Sequence, residues 1–145
     1  MTTVASNASF QPSLPLSKLR GLSILLRVAL KARRITNCEQ LLAAASTASA
    51  RRRLCADAGL DDDEVLRLVR RADMARVNGI GAVFGMMLEE LGIMDVPALA
   101  AADPVLLHGR LRSYNEQERI ARRSPTPEEV ESWVAQARRL PRLVS

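Results

Sequence analysis

The chain matches itself when slid by 58 residues, and this internal repeat limits what it can fold into more than any other feature. At that offset Leu19-Arg20-Gly21-Leu22-Ser23 lies over Val77-Asn78-Gly79-Ile80-Gly81. Leu30 then falls on Leu88, Ile35 on Ile93, Asn37 on Asp95 and Leu41 on Leu99. Asn37 and Asp95 are both residues whose side chains accept from the open amides of a helix start. Apolar spacing and helix caps thus agree on one register, which predicts two equivalent halves.

The pattern inside each half is helical. Leu22, Leu25, Leu26, Ala29 and Leu30 recur as one apolar stripe, with Arg20, Arg27, Lys31 and Arg34 on the other side. Arg51 to Ala58 reads as a short helix closed by Gly59. Asp61 opens the next, with Glu64 as its capping-box partner, and turns Val65, Leu68, Val69 and Ala72 inward as far as Met74. In the second half Asp103-Pro104 opens a helix through Leu111. Thr126-Pro127-Glu128-Glu129 opens another, which carries Val130, Trp133, Val134 and Ala137. The offset has grown to 65 there, so the second half holds seven extra residues, placed in Ser113 to Arg123.

The predicted fold is therefore all-α, one compact helical domain of two tandem degenerate repeats over 18–75 and 76–145. A flexible N-terminal arm, 1–17, precedes them with Pro12 and Pro15. Ala, Leu and Arg dominate, aromatics are 3% and β-branched runs are scarce, so no sheet is expected. Leu26, Leu30, Ile35, Leu68, Leu88, Ile93 and Trp133 are the expected core.

Catalytic and metal chemistry find little footing. His108 is the only histidine, which forbids a multi-histidine metal site. Cys38 and Cys55 lie seventeen positions apart and read as buried thiols of a reducing cytosol. Asp61-Asp62-Asp63 lacks the glycine and distal glutamate of a calcium loop and reads as a cap. No apolar run reaches the length of a membrane span, and no secretory signal opens the chain. The expectation is a cytoplasmic protein that is not an enzyme, with no cofactor, metal, membrane or small-molecule substrate.

The charge is uneven. Residues 1–75 hold 12 Lys/Arg against 7 Asp/Glu, whereas 76–145 hold 9 of each, so the whole net charge of +5 belongs to the first half. The chief motif lies in the neutral half: Arg76-Val77-Asn78-Gly79-Ile80-Gly81, followed by an apolar helix ending Leu91-Gly92-Ile93. Gly79 permits a positive φ, and Gly81 lets a partner approach the open amides at the next helix start, an anion-binding arrangement.

These residues resemble the helix-hairpin-helix superfamily. More closely, Gly79-Ile80-Gly81, Leu88, Gly92-Ile93, Leu106-Leu107-His108, Asn115, Arg122-Arg123, Pro125, Val130, Trp133 and Pro141 look like the domain-of-unknown-function family numbered 4332. The resemblance spans about residues 16 to 141. It implies paired helix-hairpin-helix units and, through the superfamily's usual partner, DNA or RNA. The sequence departs from the superfamily pattern in several places. Gly21-Leu22-Ser23 replaces the first Gly-x-Gly, and Arg34 stands where Gly92 does. Ala82 and Val83 take positions where DNA-binding hairpins carry Lys or Arg, and Glu89 and Glu90 follow.

Two functions remain open. In the first, nucleic acid is held by the Gly79, Ile80 and Gly81 amides together with Arg27, Lys31, Arg34 and Arg76. About four phosphates would then give a log K against log[salt] slope near −3.6. In the second, the same fold is a protein-interaction module with an apolar patch at Val83, Met86 and Met87. Arg51, Arg52 and Arg53 form a further basic cluster. Tyr114, Asn115 and Arg119 read as structural, pinning the last helix to the second hairpin.

Overall fold

A computed structural model describes residues 13–145. After a short 3-10 helix, Leu16–Lys18, come α1 (Ile24–Ala32), α2 (Cys38–Ala45), α3 (Ala48–Ala58) and α4 (Asp62–Met74). Then follow α5 (Gly81–Glu90), α6 (Val96–Ala100), α7 (Pro104–Glu118) and α8 (Pro127–Arg139). The described residues form no strand beyond an isolated bridge between Pro15 and Asn37. The protein is all-helical.

Local chemistry accounts for the boundaries. Ser23, Asn37, Thr47, Asp61, Asp95, Asp103 and Thr126 each accept from an amide of the helix they precede. The Thr126–Glu129 capping box is closed in both directions, whereas at Asp61 only the cap's own bond forms. α2 and α6 begin 58 residues apart and α4 and α8 both begin and end 65 apart, whereas α1 and α5 begin 57 apart and α3 and α7 begin 56 apart. α7 runs past Leu111 to Glu118, four residues longer than α3, and the loop after it has eight residues against three after α3.

Each half closes α1 or α5 in the same way. Ile35 N–H donates to Leu30 O and Ile93 N–H to Leu88 O, with Arg34 (φ 62°) and Gly92 (φ 89°) in the left-handed region. That conformation is free for glycine and strained for arginine. Arg34→Gly is therefore expected to raise stability by about 1 kcal/mol, read as an upward shift of the urea midpoint. An unchanged or lower midpoint would show that Arg34 contributes something its backbone strain conceals.

The buried side chains form two clusters. One gathers Leu26, Leu30, Ile35, Leu41, Val65 and Leu68 among others, the second Leu88, Leu99, Leu107, Leu111, Val130 and Trp133. Of the expected core, Ile93 alone is only half-buried, against the second cluster. Leu25, assigned to the inward stripe, is 83% exposed. The stripe is narrower than the spacing suggests, because α1 seats on Leu26 and Leu30 and leaves Leu25 well to one side.

The arm expected over 1–17 lies outside the described residues as far as residue 12. Its remainder is anchored. Leu16 N–H donates to Thr36 O, Cys38 N–H to Leu14 O and Glu39 N–H to the Ser13 hydroxyl, while the Leu16 side chain enters the first core. The C-terminal tail also returns: Val144 packs on the first core and Ser145 N–H donates to Ser46 O.

Candidate binding surfaces

The Gly79–Gly81 turn is built from below by α8. Gln136 clamps Asn78, accepting from its N–H at 2.8 Å and donating to its carbonyl at 3.2 Å. Gly79 (φ 95°) passes so close to Trp133 that a Cβ there would stand 3.2 Å from Nε1. Ile80 is buried, and Gly79 and Gly81 (φ 66°) are exposed. Among the described α-helices, α5 alone starts without a side-chain cap, so its first amides are left to solvent.

The turn opens on a cleft of about 840 Å³ that also meets Lys18, Arg20, Arg71 and Arg76. Half of that positive charge is already matched. Glu89 accepts from Arg20 at 3.0 Å and, through both oxygens at 3.0 Å, from Arg71, whose third donor reaches Arg20 O at 2.6 Å. Gly21 (φ 77°) lies against the Arg71 guanidinium with no room for a Cβ. Arg76 bonds the buried Asp73 at 2.5 Å and Pro141 O at 3.2 Å. Glu89, one of the departures from the superfamily pattern, sits between two arginines and ties the halves together.

The predicted phosphate ligands are thus separated. Gly79, Ile80, Gly81 and Arg76 line the cleft, while Arg27, Lys31 and Arg34 lie exposed and outside its lining. Sequence reasoning passed over Lys18 and Arg71, which belong to it; their only signal was charge near a turn. Several other arginines act as helix caps. Arg51 is buried and donates to Ala45 O, Ser46 O and Ser145 O, so the cluster at 51–53 presents only Arg52 and Arg53 to solvent. Arg110 donates to Leu91 O, and Arg138 to Ala100 O and Ala102 O.

The apolar surface is elsewhere than expected. Met87 is buried, Met86 half-buried and Val83 45% exposed. The widely exposed apolar residues are instead Ile24 (81%), Leu25 and Val28 (60%) on α1, with Val105 and Leu106 at the start of α7.

The inserted loop is structural. Buried Asn115 accepts from Ala121 N–H and donates to Ala121 O and Ser124. Arg123 stacks 5.6 Å over Phe84 and bonds Glu129, and Phe84 meets Trp133 at 5.5 Å. Those Arg123 hydrogen bonds, helped by the Thr126 amide, pull the Glu129 carboxyl down to about 2. Cys38 and Cys55 are free and buried, and burial pushes both thiols up to about 11, which leaves them poor nucleophiles. No group of ligating side chains that could hold a metal is gathered among the described residues, and no described helix is long and apolar enough to cross a membrane.

Two successive four-helix runs, joined by a glycine turn and an ion-pair clamp, make up an all-helical protein. The family described as Domain of unknown function (DUF4332) matches residues 23–140, and the chain belongs to that family. No curated protein and no solved structure matches it.

Proposed function

We propose that this protein is a non-enzymatic interaction module, two degenerate helix-hairpin-helix repeats that present α1 to another protein. One observation carries the reading. Ile24, Leu25 and Val28 stand together in adjacent turns of α1 as a contiguous exposed apolar patch. The matched charges in the cleft point the same way, because they leave little to hold a long polyanion. The test is a paired enrichment from cell extract with the wild-type chain and Leu25→Ser. A partner retained by the first and lost by the second is the expected result; identical sets would overturn the reading.

A second reading, nucleic acid held at Gly79–Gly81, is favoured by the uncapped start of α5 in the cleft. Lys18, and the one positive charge left over when Arg20 and Arg71 share Glu89, would meet about two phosphates. The expected log K against log[salt] slope on B-DNA is then about −1.8, half of what the sequence suggested. Gly81→Asp would place a carboxylate on the open amides and weaken binding about tenfold. Fluorescence anisotropy with labelled duplex and single strands checks both. No binding at low salt, or binding indifferent to Gly81→Asp, would dismiss this reading.

A further inference from the structure

We infer that the outward face of α1 docks an acidic amphipathic helix of the partner protein, an inference that rests on the interaction reading and gives the partner its chemistry. The geometry of the face is simple. At about 100° per residue, Ile24, Val28 and Leu25 span an apolar arc of about 100°, and Lys31 and Arg27 run along one edge of it. An arc of that width is what one amphipathic helix presents to another. Leu26 and Leu30 hold the opposite side of α1 in the core, so the face is fixed before anything binds.

Charge selects the occupant. Between Ser13 and Cys38 the chain carries Lys18, Arg20, Arg27, Lys31, Arg33 and Arg34 and no acidic residue. Among the described residues no side-chain hydrogen bond or ion pair engages Arg27, Lys31, Arg33 or Arg34. A second copy of the chain meeting this face with its own would bring like charges together in a desolvated contact, which is costly. Glutamates flanking a leucine stripe would instead pair with the Arg27–Lys31 edge while the stripe covers Ile24, Leu25 and Val28. The second half lacks the device: the counterparts of Arg27 and Lys31 are Gly85 and the engaged Glu89.

The test uses the full chain and two labelled synthetic peptides of one leucine-striped design, one flanked by glutamates and the other by lysines. The acidic peptide should bind and the basic one should not. Leu25→Ser should weaken the acidic peptide at least tenfold. Arg27→Glu with Lys31→Glu should abolish its binding and admit the basic peptide. All three positions are exposed, so each variant should still melt in one cooperative transition, displaced from the wild type by only a few degrees through weaker helix propensity and an acid in the last turn of α1. Equal binding of both peptides, or acidic-peptide binding indifferent to these substitutions, would overturn the inference. So would self-association through this face, cross-linking of residues 1–12 to position 25, or capture by anionic phospholipid vesicles with no peptide binding. A Leu25-dependent partner in the enrichment experiment, together with failure of the acidic peptide, would sink this inference and leave the interaction reading standing.

Discussion

Trp133→Ala is expected to cost about 3–5 kcal/mol, a large share of the stability of a chain this size. Trp133 is 1% exposed at the centre of the second core, where Phe84 meets it from α5 and Gly79 lies against its ring nitrogen. Deleting the indole opens a cavity that the clamped turn cannot collapse into, because Gln136 holds Asn78 on both its backbone groups. Arg123 would also lose the support of Phe84, since the cation rests on the ring that rests on Trp133. Urea unfolding followed by far-UV circular dichroism measures the loss. A change under about 1 kcal/mol would remove Trp133 from the core and make the indole available as a binding surface. Trp133→Phe should lie well below the alanine variant, since it retains most of the buried ring.

Much of this architecture is legible in the residues. The caps at Asn37 and Asp95 and the Thr126 capping box reappear as helix boundaries, because each is a local hydrogen-bond requirement that the segment settles for itself. The orientation of α1 was not legible. Seven of its nine residues are apolar, so periodicity cannot tell which arc faces inward, and only packing on Leu26 and Leu30 excludes Leu25. The anchoring of Ser13 to Ser17 was hidden for a similar reason. It depends on the edge offered by residues 36–39, which composition does not reveal. The arginines were the hardest to place. A sequence counts charges, but whether a guanidinium meets solvent, Glu89 or a helix carbonyl is decided by contacts across long stretches of chain. Arg71 and Glu89 are eighteen residues apart, and Arg20 and Glu89 sixty-nine.

Arg51→Met is expected to destabilise the chain by about 2–3 kcal/mol, although it keeps most of the buried volume. Arg51 is 6% exposed, and its guanidinium satisfies the carbonyls of Ala45 and Ser46 at the end of α2 as well as Ser145 O. Methionine fills the space and supplies no donor, so these carbonyls lose a charge-assisted partner where water reaches them poorly. Burial also lowers the affinity of this guanidinium for its proton, a desolvation cost that the nearby Asp62 carboxylate opposes. The tail should loosen with it, since Val144 and the Ser145 N–H reach the first core beside this arginine. The variant also asks whether the halves unfold together. Trp133 is the only tryptophan and reports the second core, whereas Arg51 supports the first. If the Arg20–Arg71–Glu89 clamp and the returning tail make one cooperative unit, Trp133 fluorescence and far-UV circular dichroism should shift to the same lower urea midpoint. A fluorescence transition that stays at the wild-type midpoint while the dichroism splits would show two halves that merely touch. An unchanged midpoint by both probes would show that Arg51 is dispensable to the fold.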